Sequence, residues 1–227
     1  MTAWRPVVDS VVGRFSAASN ATLLGWAGGD PVIYKPHRGS RPLHDFDAST
    51  LAAREVLAYR VAVALGFDSL VPETAFGDGP LGPGAVQRWV DPDPGFDPVP
   101  MIIDSDPALW PIALLDTVAN NADRKVGHIL RCRATGGLRA IDHGLTFHPD
   151  PKLRTVLWGF AGRRFPGSIE ASLSSLQARM PGLLTFAEQH LGPAEAEALD
   201  QRAISLLADP LHPDPPADRP ALPWPPY

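Results

Sequence analysis

Two acidic turns separated by one short hairpin constrain this 227-residue chain more than any other feature. The first is Asn120-Asn121-Ala122-Asp123-Arg124-Lys125-Val126-Gly127-His128, and the second is Ile141-Asp142-His143-Gly144. Either aspartate alone can be an ordinary turn residue that satisfies nearby backbone amides. Together they meet a more demanding requirement. Phosphoryl transfer from Mg-ATP needs one aspartate to orient the acceptor hydroxyl and accept its proton, and another to hold the metal that bridges the nucleotide phosphates. Upstream, Tyr34-Lys35-Pro36 places a lysine at the end of an apolar strand, and Glu55 offers a carboxylate on a helix that can fix it.

Composition narrows the alternatives. The net charge of −5 argues against broad electrostatic binding to nucleic acid or anionic lipid. No apolar run approaches the ~18 residues of a membrane-spanning helix, so no integral membrane segment is expected. The N-terminus carries no apolar signal region, and a single cysteine, Cys132, rules out a disulfide framework within the chain, so a cytoplasmic location is expected. Of 20 basic residues only Lys35, Lys125 and Lys152 are lysines. Two of those three fall in the segments singled out above, where a compact point charge differs from an arginine fork.

The rest of the chain supplies a two-part frame. Val7, Val8, Val11 and Val12 have helical spacing, which predicts a short helix over residues 1–15. Ala21 to Lys35 reads as a hairpin turning at Gly28-Gly29-Asp30, followed by a polar loop over residues 37–47. The next helix starts at Asp47 or Ser49 and ends at Gly66, with Leu51, Ala52, Val56, Tyr59, Ala62 and Val63 on one apolar stripe. Glu55 falls inside that stripe and Arg54 points the other way. A carboxylate turned toward the core needs a partner, and Lys35 is a plausible one. Strands are expected over residues 70–76 and 85–90, then a proline-rich boundary over residues 91–100. A helix over residues 109–119 leads into the first acidic turn. Gly136-Gly137 joins two short strands, helices cover residues 168–180, 183–191 and 193–208, and a proline-rich tail from Asp209 to Tyr227 is extended or disordered.

The order Lys35, Glu55, Asp123-Arg124-Lys125-Val126-Gly127-His128, Ile141-Asp142-His143-Gly144 resembles the phosphatidylinositol 3-/4-kinase-like superfamily, which includes persistence toxin kinases. It is similar in particular to a phosphatidylinositol-kinase-like family of high-GC bacteria, over roughly residues 20–190. The resemblance implies an α+β, two-lobed protein-kinase-like fold with a small β-rich N-lobe over residues 1–90 and a compact helical C-lobe over residues 91–208. It implies an ATP-dependent phosphotransferase using Mg²⁺ or Mn²⁺, with a protein or small-molecule hydroxyl as acceptor. Lys35 would contact the nucleotide phosphates and Glu55 would orient it. Gln87, Trp89 and Val90 would form the strand that meets the adenine. Asp123 would be the catalytic aspartate, with Lys125 and Arg124 beside it, and Asp142 and His128 would face the metal.

Two departures qualify that picture. The superfamily has asparagine where this chain has His128. Mg²⁺ prefers oxygen ligands, whereas imidazole suits Mn, Zn or Fe. A nucleotide-binding pseudokinase is therefore an open alternative, and a metal-dependent hydrolase built from Asp123, His128, Asp142, His143 and His148 is a third. The second departure is the lack of a dense glycine-rich phosphate loop, leaving Ser16, Ser19 and Asn20, with Gly25, Gly28 and Gly29, as substitutes. Arg154 and Lys152 are candidates to hold an acidic acceptor, with Trp158 packed beside it. Structural readings also remain open: Arg124 as an ion-pair partner holding the loop, His128 as a hydrogen-bonded structural histidine.

Overall fold

In the computed structural model, residues 4–15, 21–38 and 45–227 are described. The chain opens with a five-stranded antiparallel sheet in the order β1-β2-β3-β5-β4, made of β1 (Ser10–Arg14), β2 (Leu23–Ala27), β3 (Asp30–Pro36), β4 (Thr74–Gly77) and β5 (Gly84–Arg88). The β2–β3 turn works because Gly28 and Gly29 both have positive φ, which matches the twist of a tight hairpin at no steric cost. Helix α1 (Leu51–Ala64) crosses behind β4 and β5. A 3-10 turn precedes it, capped by Asp47, whose carboxylate accepts from the Ser49 amide at 2.9 Å. After Leu65 the chain leaves the helix at Gly66, where φ is +80°.

The remaining elements are helical apart from one hairpin. Short α2 (Val99–Ile103) leads to α3 (Trp110–Ala119), then β6 (Ile129–Arg131) and β7 (Leu138–Ala140) form a two-stranded ribbon, and α4 (Gly167–His190) and α5 (Pro193–Ala208) close the fold. One large core joins α1, α3, α4 and α5, with Leu57, Leu114, Leu115, Leu176 and Leu199 fully excluded from solvent. The sheet adds a smaller cluster of Val8, Leu23, Val32, Tyr34 and Val86. Among the described residues no helix is long and apolar enough to cross a membrane.

Two expectations are overturned and two are sharpened. Residues 10–14 form a strand rather than part of a helix: Val8 is 3% exposed, Val7 61% and Val12 58%, so the spacing marked no buried helical face. Valine is β-branched and fits a pleated edge, and the strand pairs with β2 from Ser10↔Trp26 to Arg14↔Leu23. The two helices expected on either side of residue 181 are one, α4. Pro181 removes a helical hydrogen bond, but Leu173, Leu176, Met180, Leu183 and Phe186 make a continuous buried face that carries the helix through it. Arg54 does leave the apolar stripe, but not for solvent. Its guanidinium is buried over the Phe46 ring at 5.0 Å, donates to the Thr146 carbonyl and meets Glu195 at 3.2 Å.

The proline-rich tail is the fourth. It is extended but docked. Phe165 N–H donates to the Pro210 carbonyl, Gly162 N–H to the His212 carbonyl, and His212 N–H to the Arg163 carbonyl. Further on, Thr155 N–H and the Trp158 indole both donate to the Ala221 carbonyl, and Val126 N–H donates to the Pro226 carbonyl. Proline cannot donate, but its carbonyl accepts well, so a proline-rich segment can strap a surface that presents amides.

Candidate active site

The loop after α3 is built by its own side chains. Asn120 ends the helix in the left-handed region at φ 50°, which asparagine tolerates better than most residues. Its side chain then holds the chain 28 to 32 residues on, donating to the His148 and Asp150 carbonyls and accepting from Lys152 N–H. The Asn121 carbonyl oxygen accepts from Asp123 N–H at 3.0 Å, while its amide donates to Asp116 at 2.9 Å. Arg124 is wholly buried and forks onto Asp116 at 2.8 and 2.9 Å. It also donates to the Ile141 carbonyl at 2.9 Å, and contacts His143 Nε2 at 2.8 Å. The two acidic turns are thus tied by one guanidinium. Arg124 therefore holds the loop from behind and does not line the cavity described next.

In front lies a cleft of about 800 Å³ between the sheet and the helical part. Lys35, Glu55, Gln87, Trp89, Val90, Asp123, Lys125, His128 and Asp142 all line it. Lys35 Nζ bonds Glu55 Oε1 and also reaches Asp142 Oδ1 at 2.9 Å, bridging sheet, α1 and the second turn. Asp142 itself sits at φ 61°, a conformation that costs on the order of 1 kcal/mol and aims the carboxylate. Lys125 Nζ lies 3.5 Å from Asp123 Oδ2, and His128 Nε2 lies 3.5 Å from Asp142 Oδ2.

The charges here are incompletely matched. Burial works against a charged Lys35, but Asp142 and Glu55 outweigh it and hold the ammonium above its usual range. The cleft walls oppose ionisation of Asp142 although its side chain stays 46% exposed, and the Lys35 charge overcomes them, so this carboxylate is held low. Glu55 goes the other way: burial raises it against the pull of Lys35 and a weaker one from the His143 backbone N–H, and among the described residues its buried Oε2 has no well-formed hydrogen bond. Asp123 is pushed up to about 6, chiefly by burial, with Lys125 opposing and Asp142 assisting. Burial pulls His128 down to about 4, against Asp142, so the imidazole is neutral at pH 7 and able to donate a lone pair.

Several expected contacts fall elsewhere. Gln87 lines the cleft, but its amide donates to Thr74 at 2.9 Å inside the sheet. Trp89 N–H is spent on the Pro31 carbonyl, and its ring stacks on Phe15 at 6.4 Å. Trp158 does not reach the cleft; its indole anchors the tail. His143 and His148 do not converge on Asp142, because His143 faces Arg124 and His148 packs on Phe46 at 5.2 Å. Among the described residues no group of three or more His, Cys, Asp or Glu side chains is arranged to hold a metal. Gly25 is needed for packing, since a Cβ there would lie 2.6 Å from the Ser10 carbonyl oxygen. Ser16, Ser19 and Asn20 lie outside the described residues.

Sequence reasoning missed the outer wall. Pro220, Leu222, Trp224 and Tyr227 of the tail line the cleft beside Lys125, Lys152 and Arg154. The two aromatic residues were the available signal, because a plain linker has little use for them. It also missed Asp116, the anchor of the loop, which reads as one acid in an otherwise apolar helix.

No protein-family profile matches the chain. Among curated proteins, it is 39% identical over 256 residues to Protein Rv2133c of Mycobacterium tuberculosis, covering 95% of this chain and 91% of that one. Among solved structures, it resembles the Helicobacter pylori proinflammatory kinase CtkA with a TM-score of 0.56 at 12% identity, covering 90% of this chain and 95% of the other. At that identity the likeness speaks to fold. The chain has a kinase-like α+β fold, with its sheet in the N-terminal part and its helices in the C-terminal part.

Proposed function

The chain belongs to the family of Protein Rv2133c, and we propose that it is an ATP-dependent phosphotransferase, related to the phosphatidylinositol 3-/4-kinase-like superfamily, that passes the γ-phosphate to a hydroxyl acceptor. The observation that carries the reading is Lys35 joined to both Glu55 and Asp142 across a cleft that Asp123 also lines. CtkA, of like fold, is described as a kinase. In this reading residues 1–90 hold the nucleotide phosphates, residues 91–208 carry the catalytic loop and metal turn, and residues 209–227 form the strap on the acceptor side.

Each side chain then has a task. Ile33, Trp89 and Val90 give the base an apolar slot. With Trp89 N–H already committed, the adenine edge falls to the Val90 backbone. Lys35, positioned by Glu55, neutralises oxygens of the α- and β-phosphates. Asp123 orients the acceptor hydroxyl and takes its proton as the new O–P bond forms and the bond to the departing ADP oxygen breaks. Lys125 sits where it can offset charge on the phosphoryl group in transit.

Asp142 and His128 fit a divalent ion as a two-donor set completed by phosphate oxygens and water. Asp142 keeps a side chain 46% exposed for this purpose, and the depressed basicity of His128 leaves its nitrogen free of a proton. Such an ion, when bound, would offset phosphate charge, and the imidazole favours Mn²⁺ more than asparagine does.

The test is γ-phosphate transfer. The protein is incubated with ATP and Mg²⁺ or Mn²⁺, then followed by intact mass and phosphate release, with Asp123→Ala and Asp142→Ala as controls. A mass gain or turnover absent from both variants supports the reading. Nucleotide binding without either signal points to a pseudokinase, and no nucleotide binding ends both readings.

A further inference from the structure

A second groove, of about 460 Å³, lies behind the site, between the end of α3, residues 149–153, α5 and the strap. Its walls are mainly apolar, with Leu153, Trp158, Leu206 and Leu211 joined by several prolines. Two arginines line it, one on α5 and one on the strap. Arg202, on α5, donates through Nε to the Val118 carbonyl at 3.0 Å and through Nη1 to the His148 carbonyl at 3.3 Å. Those bonds explain a structural arginine only in part, because its Nη2 is buried with no partner. Burial lowers its pKa to about 10, and no carboxylate offsets the effect. Arg219 of the strap has a buried Nε that likewise has no partner among the described residues, while its Nη1 makes a long 3.4 Å contact to Asp218.

A buried cation with an unanswered donor is costly unless something completes it. We propose that this groove binds a small organic anion, one carboxylate on an apolar body, with the carboxylate received by Arg202 and Arg219. The volume suits a compact ligand. Asp209 and Asp214, both exposed, also line the groove and oppose any anion, a dianion more than a monoanion, which favours the lower charge. The proposal is independent of phosphotransfer, since no residue lining this groove also lines the larger cleft.

Calorimetric titration of the full chain with octanoate, 1-octanol and inorganic phosphate tests it. Octanoate should bind at one site, 1-octanol should bind at least about ten-fold more weakly for want of the charge-assisted bond, and phosphate should give no heat at the same concentration. Arg202→Gln should abolish octanoate binding. Should that variant fail to fold, Arg219→Gln, at the partly exposed rim, decides by weakening octanoate about three-fold or more. Lys35→Met, in the other cleft, should leave octanoate binding unchanged. Equal affinity for octanoate and 1-octanol, no binding of octanoate at millimolar concentration, indifference to Arg219→Gln, or loss in Lys35→Met would each overturn the proposal.

Discussion

Around Arg124 nearly every charge is answered, whereas around Lys35 the answers are partial. Arg124 has Asp116 in a two-point fork, two carbonyl acceptors and the His143 ring, all out of solvent. In the cleft, by contrast, Glu55 holds a buried oxygen with no well-formed hydrogen bond among the described residues, Asp123 resists ionisation, and Asp142 shares its lysine. The first cluster has the character of a frame and the second that of a site waiting for charge. What this cluster lacks is positive charge, which under the proposed function a divalent ion arriving with the nucleotide would supply, so stability and chemistry are divided between the two. Breaking the frame should therefore produce the largest effect. Arg124→Leu leaves Asp116 buried with the Asn121 amide but without its counter-charge, and is expected to cost about 3–5 kcal/mol in urea unfolding. A loss below about 1 kcal/mol would remove the distinction.

The second cluster should fail in the opposite manner. Lys35→Met is expected to lower phosphate transfer by about 10²–10³-fold while changing the unfolding midpoint far less than Arg124→Leu. The stability cost is limited because Glu55, already raised by burial, can protonate once its lysine is gone. Comparing turnover with urea midpoints for both variants checks the division. If Lys35→Met unfolds the protein as Arg124→Leu does, the lysine is part of the frame.

The contrast also explains what the sequence made legible. Helix α5 is plain in the sequence because Gly192 and Pro193 start it, and α1 because Asp47 and Gly66 bracket a regular apolar stripe. The polar residues of the site can be picked out only as a set, because each alone has an ordinary use at a turn or strand end while their order together does not. What escapes is what depends on distant partners. Strand β1 is decided by β2 and Asp78, α4 runs through Pro181 because of the surfaces it packs on, and the strap is fixed by amides of Val126 and Thr155. Asp116 looks like a stray acid until Arg124, eight residues later, folds back onto it.

Asp123 sharpens the comparison further. Its folded pKa of about 6 exceeds the ordinary 3.8, so the folded chain binds this proton more tightly than the unfolded chain. The contribution to stability is thus greatest below 3.8 and declines as pH rises through about 6. Asp123→Asn removes that penalty. At pH 8, without nucleotide, the variant should be more stable than the parent by on the order of 1–3 kcal/mol, and at pH 4 the two should converge. Transfer by the parent should rise with pH through about 6, because only the ionised carboxylate can take a proton. Equal stability at pH 8 would mean that Asp123 is already relieved of its mismatch.

Trp224 gives the smallest expected effect on stability and tests whether the outer wall belongs to the reactive side of the division. Its side chain is 88% exposed although it lines the cleft. Such exposure is unfavourable for an apolar ring and is not explained by packing, since the strap is held by the carbonyls of Ala221 and Pro226 on either side. Trp224→Ala should therefore change the unfolding free energy by no more than about 0.5 kcal/mol. If the wall meets the acceptor, the same variant raises the acceptor KM by several-fold and leaves the KM for ATP alone, because the proposed base contacts, Trp89 and Val90, belong to the segment that follows β5 and not to the strap. A change confined to ATP would move the strap to the nucleotide side, and a stability loss comparable with Arg124→Leu would make it frame.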